Sequence, residues 1–361
     1  MPQPLSGLRV IDFTTLLPGP LATLMLAEAG AEVVKIEPPE GESMRFYPPY
    51  FGQESAAFAM LNRGKTGLTL DLKSAEGRVE ALALIEKADV VVEQFRPGVM
   101  ERLGLGYEDA RKINPRIVYC SITGYGRAGP RAHEAGHDLN YIGNTGLLAL
   151  ATGDPPVVPP ALIADIGGGT FPAVINILLA LRQRDQTGEG CHLDIAMTDA
   201  MFTFAWHALA SGHAGAFPGA GEAMLAGGSP RYQLYRTKDG WLVACAALEQ
   251  KFWRAFCAAI DLEEALVDDR VNPAKTQKAV AARIACRTAA EWQPVFARAN
   301  CCVTLVVPLE QAMSDPHFVE RGLFAHQVAG EGATMGALPV PVDPQFRGDV
   351  KMPKSFPARK K

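Results

Sequence analysis

Residues 8–36 read LRVIDFTTLLPGPLATLMLAEAGAEVVKI, and this stretch decides the fold class. Its opening, LRVIDF, has the apolar and β-branched content of a strand. Residues 20–29, PLATLMLAEA, form a helix: Pro20 suits a first turn, and Gly30 closes the run. Residues 32–36, EVVKI, supply the next strand. Strand, helix and strand at these lengths predict a right-handed βαβ unit with parallel strands.

Working outward, the alternation repeats. Residues 67–72 read as a strand, 75–87 as a helix and 90–93 as a strand. A helix at 107–113 then leads to a strand at 117–122. This order predicts an α/β fold, with a doubly wound, Rossmann-like large domain over residues 1–190. An apolar helix over 170–182 closes it. Residues 191–226 read as a linker, rich in Gly and Ala towards its end. A smaller α+β domain follows over 227–325. There strands at 231–235 and 241–246 flank Lys238-Asp239-Gly240, a hairpin signal, and helical segments run over 250–299. Residues 326–361, dominated by Pro and basic residues, read as a loosely packed segment returning towards the large domain.

Composition excludes several classes. The net charge of −4 leaves no basic excess for a nucleic acid backbone. The first residues lack a basic segment leading into an apolar run, and Asp12 interrupts the first hydrophobic stretch. The longest apolar stretch, 171–181, is well short of the roughly 20 residues that span a bilayer. The seven cysteines are an odd number without a C-x-x-C spacing, so they read as reduced thiols of a cytoplasmic protein. No cluster has metal-ligand spacing.

Gly124, Gly126 and Gly129 match G-x-G-x-x-G, but the match runs into Pro130 and a polar loop. A dinucleotide site needs a helix N-terminus there. Three other segments carry more chemistry: AGHDLNY at 135–141, Asp165 ahead of Gly167-Gly168-Gly169, and Leu248-Glu249-Gln250-Lys251-Phe252. Asp165 has a plain reading as a helix N-cap. That reading leaves the glycines unexplained, because they weaken a first turn and instead allow a backbone or ligand to approach. A carboxylate and free N–H groups at a helix head could face a substrate carbonyl and hold an oxyanion. Taken alone, His137 reads first as a surface or loop histidine and Glu249 as a solvated residue at a helix start, and Asp138 could merely cap a turn. Spacing does not bring the three segments together.

Residues 5–41 (LSGLRVIDFTTLLPGPLATLMLAEAGAEVVKIEPPEG), 61–73 (LNRGKTGLTLDLK) and 94–107 (QFRPGVMERLGLGY) resemble the CoA-binding start of the class III CoA-transferase superfamily, the CaiB–BaiF group. The likeness extends to about residue 323. Within the superfamily, AGHDLNY, GGSPRYQLYRTKDG at 227–240 and ALEQKF at 247–252 resemble the α-methylacyl-CoA racemases.

The resemblance implies roles. His137 is a general base on one face of the substrate α-carbon, paired with Glu249, and Asp165 serves the opposite face. In the transferases the matching aspartate is the nucleophile instead. Substrate and CoA contacts are implied for Leu16, Leu17 and Lys35, for Leu70, Asp71 and Leu72, for Phe95, Arg96 and Arg102, and for Gly136, Asp138 and Asn140. Many members carry an arginine where this chain has Pro38, which leaves Lys35, Arg63 or Lys65 to meet the nucleotide end of CoA. The resemblance further implies an interlocked homodimer whose site takes Glu249 from the partner chain. No cofactor is implied beyond the CoA of the substrate. Three readings stand: a racemase, a CoA-transferase working through Asp165, and a non-catalytic acyl-CoA-binding protein.

Overall fold

The computed structural model describes residues 2–330 and 332–358. The chain divides into two compact units. The first comprises residues 2–145, 160–203 and 315–358 of the described chain. The second comprises 146–159 and 204–314.

The first unit is built on six parallel strands: β1 (Arg9–Asp12), β2 (Glu32–Glu37), β3 (Thr66–Thr69), β4 (Val90–Glu93), β5 (Val118–Thr123) and β6 (Cys191–Ala196). Their spatial order is 3-2-1-4-5-6, with every neighbouring pair parallel. This is the doubly wound order, and its topological switch point falls between β1 and β4. β4 and β5 are buried at every position, so both faces of the sheet are covered.

Helix α1 (Pro18–Glu28) starts with Pro in its first turn and is buried throughout, which is why its sequence is apolar all round. Helices α2 (Ala75–Glu86) and α3 (Tyr107–Ile113) pack together, and Ala81, Ile85 and Ala110 join Ile11, Val91 and Tyr119 in one core. Within the sheet layer, buried Asp12 accepts from Thr14, Thr23 and Lys65. Burial opposes its charge, but Lys65 and Lys35 hold the carboxyl well below the usual carboxylate range.

The second unit has a three-stranded antiparallel sheet in which Tyr232–Arg236 and Leu242–Ala246 pair through the hairpin at Lys238–Gly240. Gly240 supplies the positive φ (+88°) that this turn needs. Helices over Gln250–Ala259, Pro273–Ile284 and Ala289–Ala299 bury Trp253, Phe256, Ile284, Trp292 and Phe296 against it.

Three expectations are corrected. Residues 191–196 are not linker but the edge strand β6, in register with β5 over six residues. Its alternating His192 and Asp194 mask the strand pattern. Residues 326–361 were expected to pack little. Instead Gln327–Ala329, Thr334–Gly336 and Lys354–Ser355 form a small sheet, and Val328 is fully buried. Lys354 and Arg347 also reach the buried Glu28 of α1. Residue 331 and residues 359–361 of that range lie outside the described residues.

The apolar helix is also longer than expected. A π-helical turn, Ala164–Thr170, runs without a break into α5 (Phe171–Thr187). Among the described residues this is the one helix, 24 residues in all, long and apolar enough to cross a membrane. Half of its apolar stretch is buried inside the fold, and it contacts α1, β5 and β6.

Candidate active site

The loops after β1, β4, β5 and β6 meet at the carboxyl ends of the strands. They enclose a cavity of about 380 Å³ where open α/β sheets bind ligands. Leu16 and Pro18 line it from the β1 loop, and Gln94, Phe95 and Arg96 from the β4 loop. Gly124 and Met197 follow β5 and β6. The remaining wall carries Gly136, His137, Asn140, Tyr141 and Asp165.

Local hydrogen bonds fix these loops. Leu16 sits at φ +62°, a left-handed conformation that costs a non-glycine residue roughly 1–2 kcal/mol. Its N–H donates to Glu42 Oε1 at 2.9 Å. Gly19 N–H donates to Gln94 Oε1 at 3.0 Å and so ties the β1 loop to the β4 loop. Phe95 N–H donates to Glu93 Oε2 at 2.8 Å. A Cβ on Gly19 would collide with Thr14 at 2.3 Å, so glycine there is a matter of space.

His137 is the N-cap of helix α4 (Asp138–Asn144), and its N–H donates to Asn140 Oδ1 at 3.0 Å. Tyr141 braces the same loop. Its hydroxyl donates to Gly136 O at 2.5 Å, and its ring fills the space that a Cβ on Gly124 or Gly136 would need. Burial and the nearby Asp165 push this phenol up to about 12, so it stays protonated at neutral pH.

Asp165 stands in the π-helical turn rather than at an N-cap, which corrects the plain reading. Such turns are rare and recur at functional sites. Gly168 and Gly169 have a packing cause: a Cβ on Gly168 would lie 2.2 Å from Met197 O, and one on Gly169 would touch Pro18 at 3.0 Å. Asp165 is half-buried. Burial, with the neighbouring Asp138 charge, raises its carboxyl to about 6, while His137 acts in the opposite sense. That places the Asp165 carboxyl close to neutrality.

Two expected roles change. Asp138 does not line the cavity. It is buried, and its Oδ1 accepts from Ala164 N–H at 2.6 Å and Asp165 N–H at 3.0 Å. The Asp165 N–H is therefore engaged and does not serve an oxyanion.

Lys35 is fully buried, 2.5 Å from Glu42 Oε2, and donates to Thr14 O at 2.8 Å. Arg63 pairs with Glu28 at 2.9 Å, and Lys65 with Asp12 at 3.0 Å, both buried. None of the three offers a free cation to a phosphate, because each is committed to a buried partner.

The other implied contacts are dispersed. Leu70 belongs to the core under α2, and Leu72 packs on that core. Asp71 accepts from Lys73 N–H in an exposed turn. Arg102 is exposed in a short helix, and Leu17 precedes α1. None of these five lines the cavity. Glu249 belongs to the second unit, where it is exposed as the N-cap of the helix Gln250–Ala259.

Gln94, Tyr141 and Glu42 went unread. Gln94 and Tyr141 stand inside quoted motifs, and their position beside a strand end or a glycine pair was the available signal. Glu42 carries no signal in sequence. Among the described residues, no group of three His, Cys, Asp or Glu side chains is placed to hold a metal ion.

A doubly wound sheet with a histidine and an aspartate lining a cavity at its switch point is a framework that α/β enzymes share. Residues 5–355 match the model of CoA-transferase family III, and the chain belongs to that family. It is 34% identical to the acetyl-CoA:oxalate CoA-transferase of Acetobacter aceti, covering 94% of this chain and 89% of that one. It is 32% identical to the human alpha-methylacyl-CoA racemase, covering 94% and 86%. Among solved structures, Rv3272 from Mycobacterium tuberculosis superposes with a TM-score of 0.84 at 29% identity, covering 99% and 98%. The family thus joins racemases and transferases.

Proposed function

We propose that this protein is an acyl-CoA racemase that inverts the α-carbon of 2-methylacyl-CoA thioesters. The observation that carries the reading is that His137 and Asp165 line one cavity, with Asp165 held near neutrality. His137 takes the α-proton from one face, and the electron pair moves onto the thioester carbonyl oxygen as an enolate. Asp165, protonated, returns a proton to the opposite face. The reverse direction exchanges the two roles. A positioned general acid or base contributes roughly 10²–10⁴-fold. The CoA is part of the substrate, and the chemistry calls for no further cofactor. Free CoA thioesters are intracellular, which fits a cytoplasmic enzyme.

Glu249, from a partner subunit of a homodimer, orients the His137 ring on this reading. His137 is exposed in the single chain, and α5 presents Phe171, Ile175, Leu178 and Leu179 to solvent on one face. Both observations fit a partner chain over this region.

The second reading is a CoA-transferase in which Asp165 is the nucleophile, favoured by the likeness to the oxalate enzyme. One 2-methylacyl-CoA incubated with the protein in deuterated water separates them. A racemase incorporates deuterium at the α-carbon with no acceptor acid present. Transfer of CoA only on adding a carboxylic acid, with no α-exchange, overturns the racemase reading. Neither activity would leave a binding protein.

A further inference from the structure

We propose that Glu42, backed by Lys35, is a positioning residue that holds the Leu16 wall of the cavity in its ligand-accepting shape. The proposal rests on the reading of this cavity as an acyl-CoA site. Leu16 lines the cavity and occupies the left-handed region at φ +62°. A leucine does not rest there unaided. The surroundings must over-determine the conformation, and such positions cluster at ligand clamps.

Two buried side chains provide that constraint. Glu42 Oε1 accepts the Leu16 N–H at 2.9 Å, and Glu42 Oε2 faces Lys35 Nζ at 2.5 Å. The same ammonium donates to Thr14 O at 2.8 Å, two residues before Leu16. Thr14 is itself fixed through its N–H and hydroxyl on Asp12 Oδ1. The loop is thus held at Thr14 and at Leu16 by one ion pair whose side chains are both fully buried. Burying such a pair is costly, and the fold would be served as well by apolar residues of similar volume. The pair does what apolar residues cannot: it supplies an acceptor for Leu16 N–H and a donor for Thr14 O.

Lys35→Met/Glu42→Leu tests this, because removing both partners leaves no uncompensated buried charge. The expected result is a crystal structure with Leu16 relaxed to negative φ. With the accepting shape down to about a tenth of the population, calorimetric Kd for CoA rises about tenfold. A variant in which Leu16 keeps φ near +62°, or in which Leu16 relaxes with CoA affinity unchanged, overturns the proposal. Native-state hydrogen exchange on the unmodified protein gives a reading that needs no variant. The Leu16 amide should exchange only with global opening, and exchange at the rate of an exposed loop amide overturns the clamp. Absence of CoA binding by the unmodified protein would count against the acyl-CoA reading. The Leu16 conformation and its amide protection still decide the clamp.

Discussion

The carboxylate of Asp138 accepts the backbone N–H of Asp165 at 3.0 Å and that of Ala164 at 2.6 Å. This contact joins the start of α4 to the π-helical turn. Because His137 immediately precedes Asp138, it sets the two candidate proton-transfer groups on one cavity wall. The same carboxylate also perturbs Asp165 electrostatically. Asp138 thus acts on the site through geometry and through charge.

Two substitutions separate these effects. Asp138→Ala leaves buried N–H groups unpaired, at about 1–3 kcal/mol each at most, and should lower both stability and turnover. Asp138→Asn keeps an acceptor of the same shape and removes the charge. The Asp165 carboxyl, at about 6 in the native protein, should then move down, though not fully, since burial is the larger cause. The limb of the pH–rate profile that reports Asp165 should shift to lower pH: the alkaline limb in the direction where Asp165 gives the proton, the acidic limb in the direction where it takes one. An unmoved limb would show that Asp138 does not tune Asp165.

Asp165→Asn should abolish turnover yet stabilise the fold above neutrality. The sign follows from the raised pKa. The native carboxyl, near 6, holds its proton more tightly than the unfolded one, at 3.8. Between those values the native state binds more protons, so stability falls as pH rises. The charged, partly buried Asp165 therefore costs the fold about 1–2 kcal/mol above pH 6, after allowance for solvent screening. Denaturant unfolding should show the Asn variant ahead at pH 8, with the gap closing towards pH 4. A gap independent of pH would mean that Asp165 is not held near 6.

His137→Ala should separate the two enzyme readings. A racemase that relies on His137 loses roughly 10²–10⁴-fold in α-proton exchange. A transferase relying on Asp165 loses far less CoA transfer. α-Exchange by the variant at the rate of the unmodified protein would remove His137 from the mechanism.

The parallel sheet was legible because its central strands are buried on both faces and read as apolar runs punctuated by helices. β6 was not, because an edge strand carries His192 and Asp194. Short polar motifs around glycines drew attention to His137 and Asp165, but only the family resemblance implied that they share a site with Gly136 and Asn140, and the fold places all four on one cavity. Glu42 could not, since its role depends on a contact across 26 positions and on a backbone angle at Leu16. The resemblance implies Lys35 as a contact for CoA, and only the fold shows that its side chain is enclosed and paired with Glu42.

The partner's share in the site can be tested by complementation. On the proposed reading, Glu249 of one subunit completes a site built on His137 and Asp165 of the other. Asp165→Ala and Glu249→Ala should each be weak or inactive alone. Refolded together, they should form mixed dimers in which one site carries both defects and the other carries none. Activity should recover towards one working site per mixed dimer. Mixing the folded variants should not suffice if the chains interlock, because the rings cannot part without opening. If all three residues serve one chain instead, every site in a mixed dimer keeps one defect. Co-refolding then restores nothing. Mixed dimers confirmed by differential tagging, with no recovered α-exchange, would sink the shared site while leaving the roles of His137 and Asp165 to their own tests.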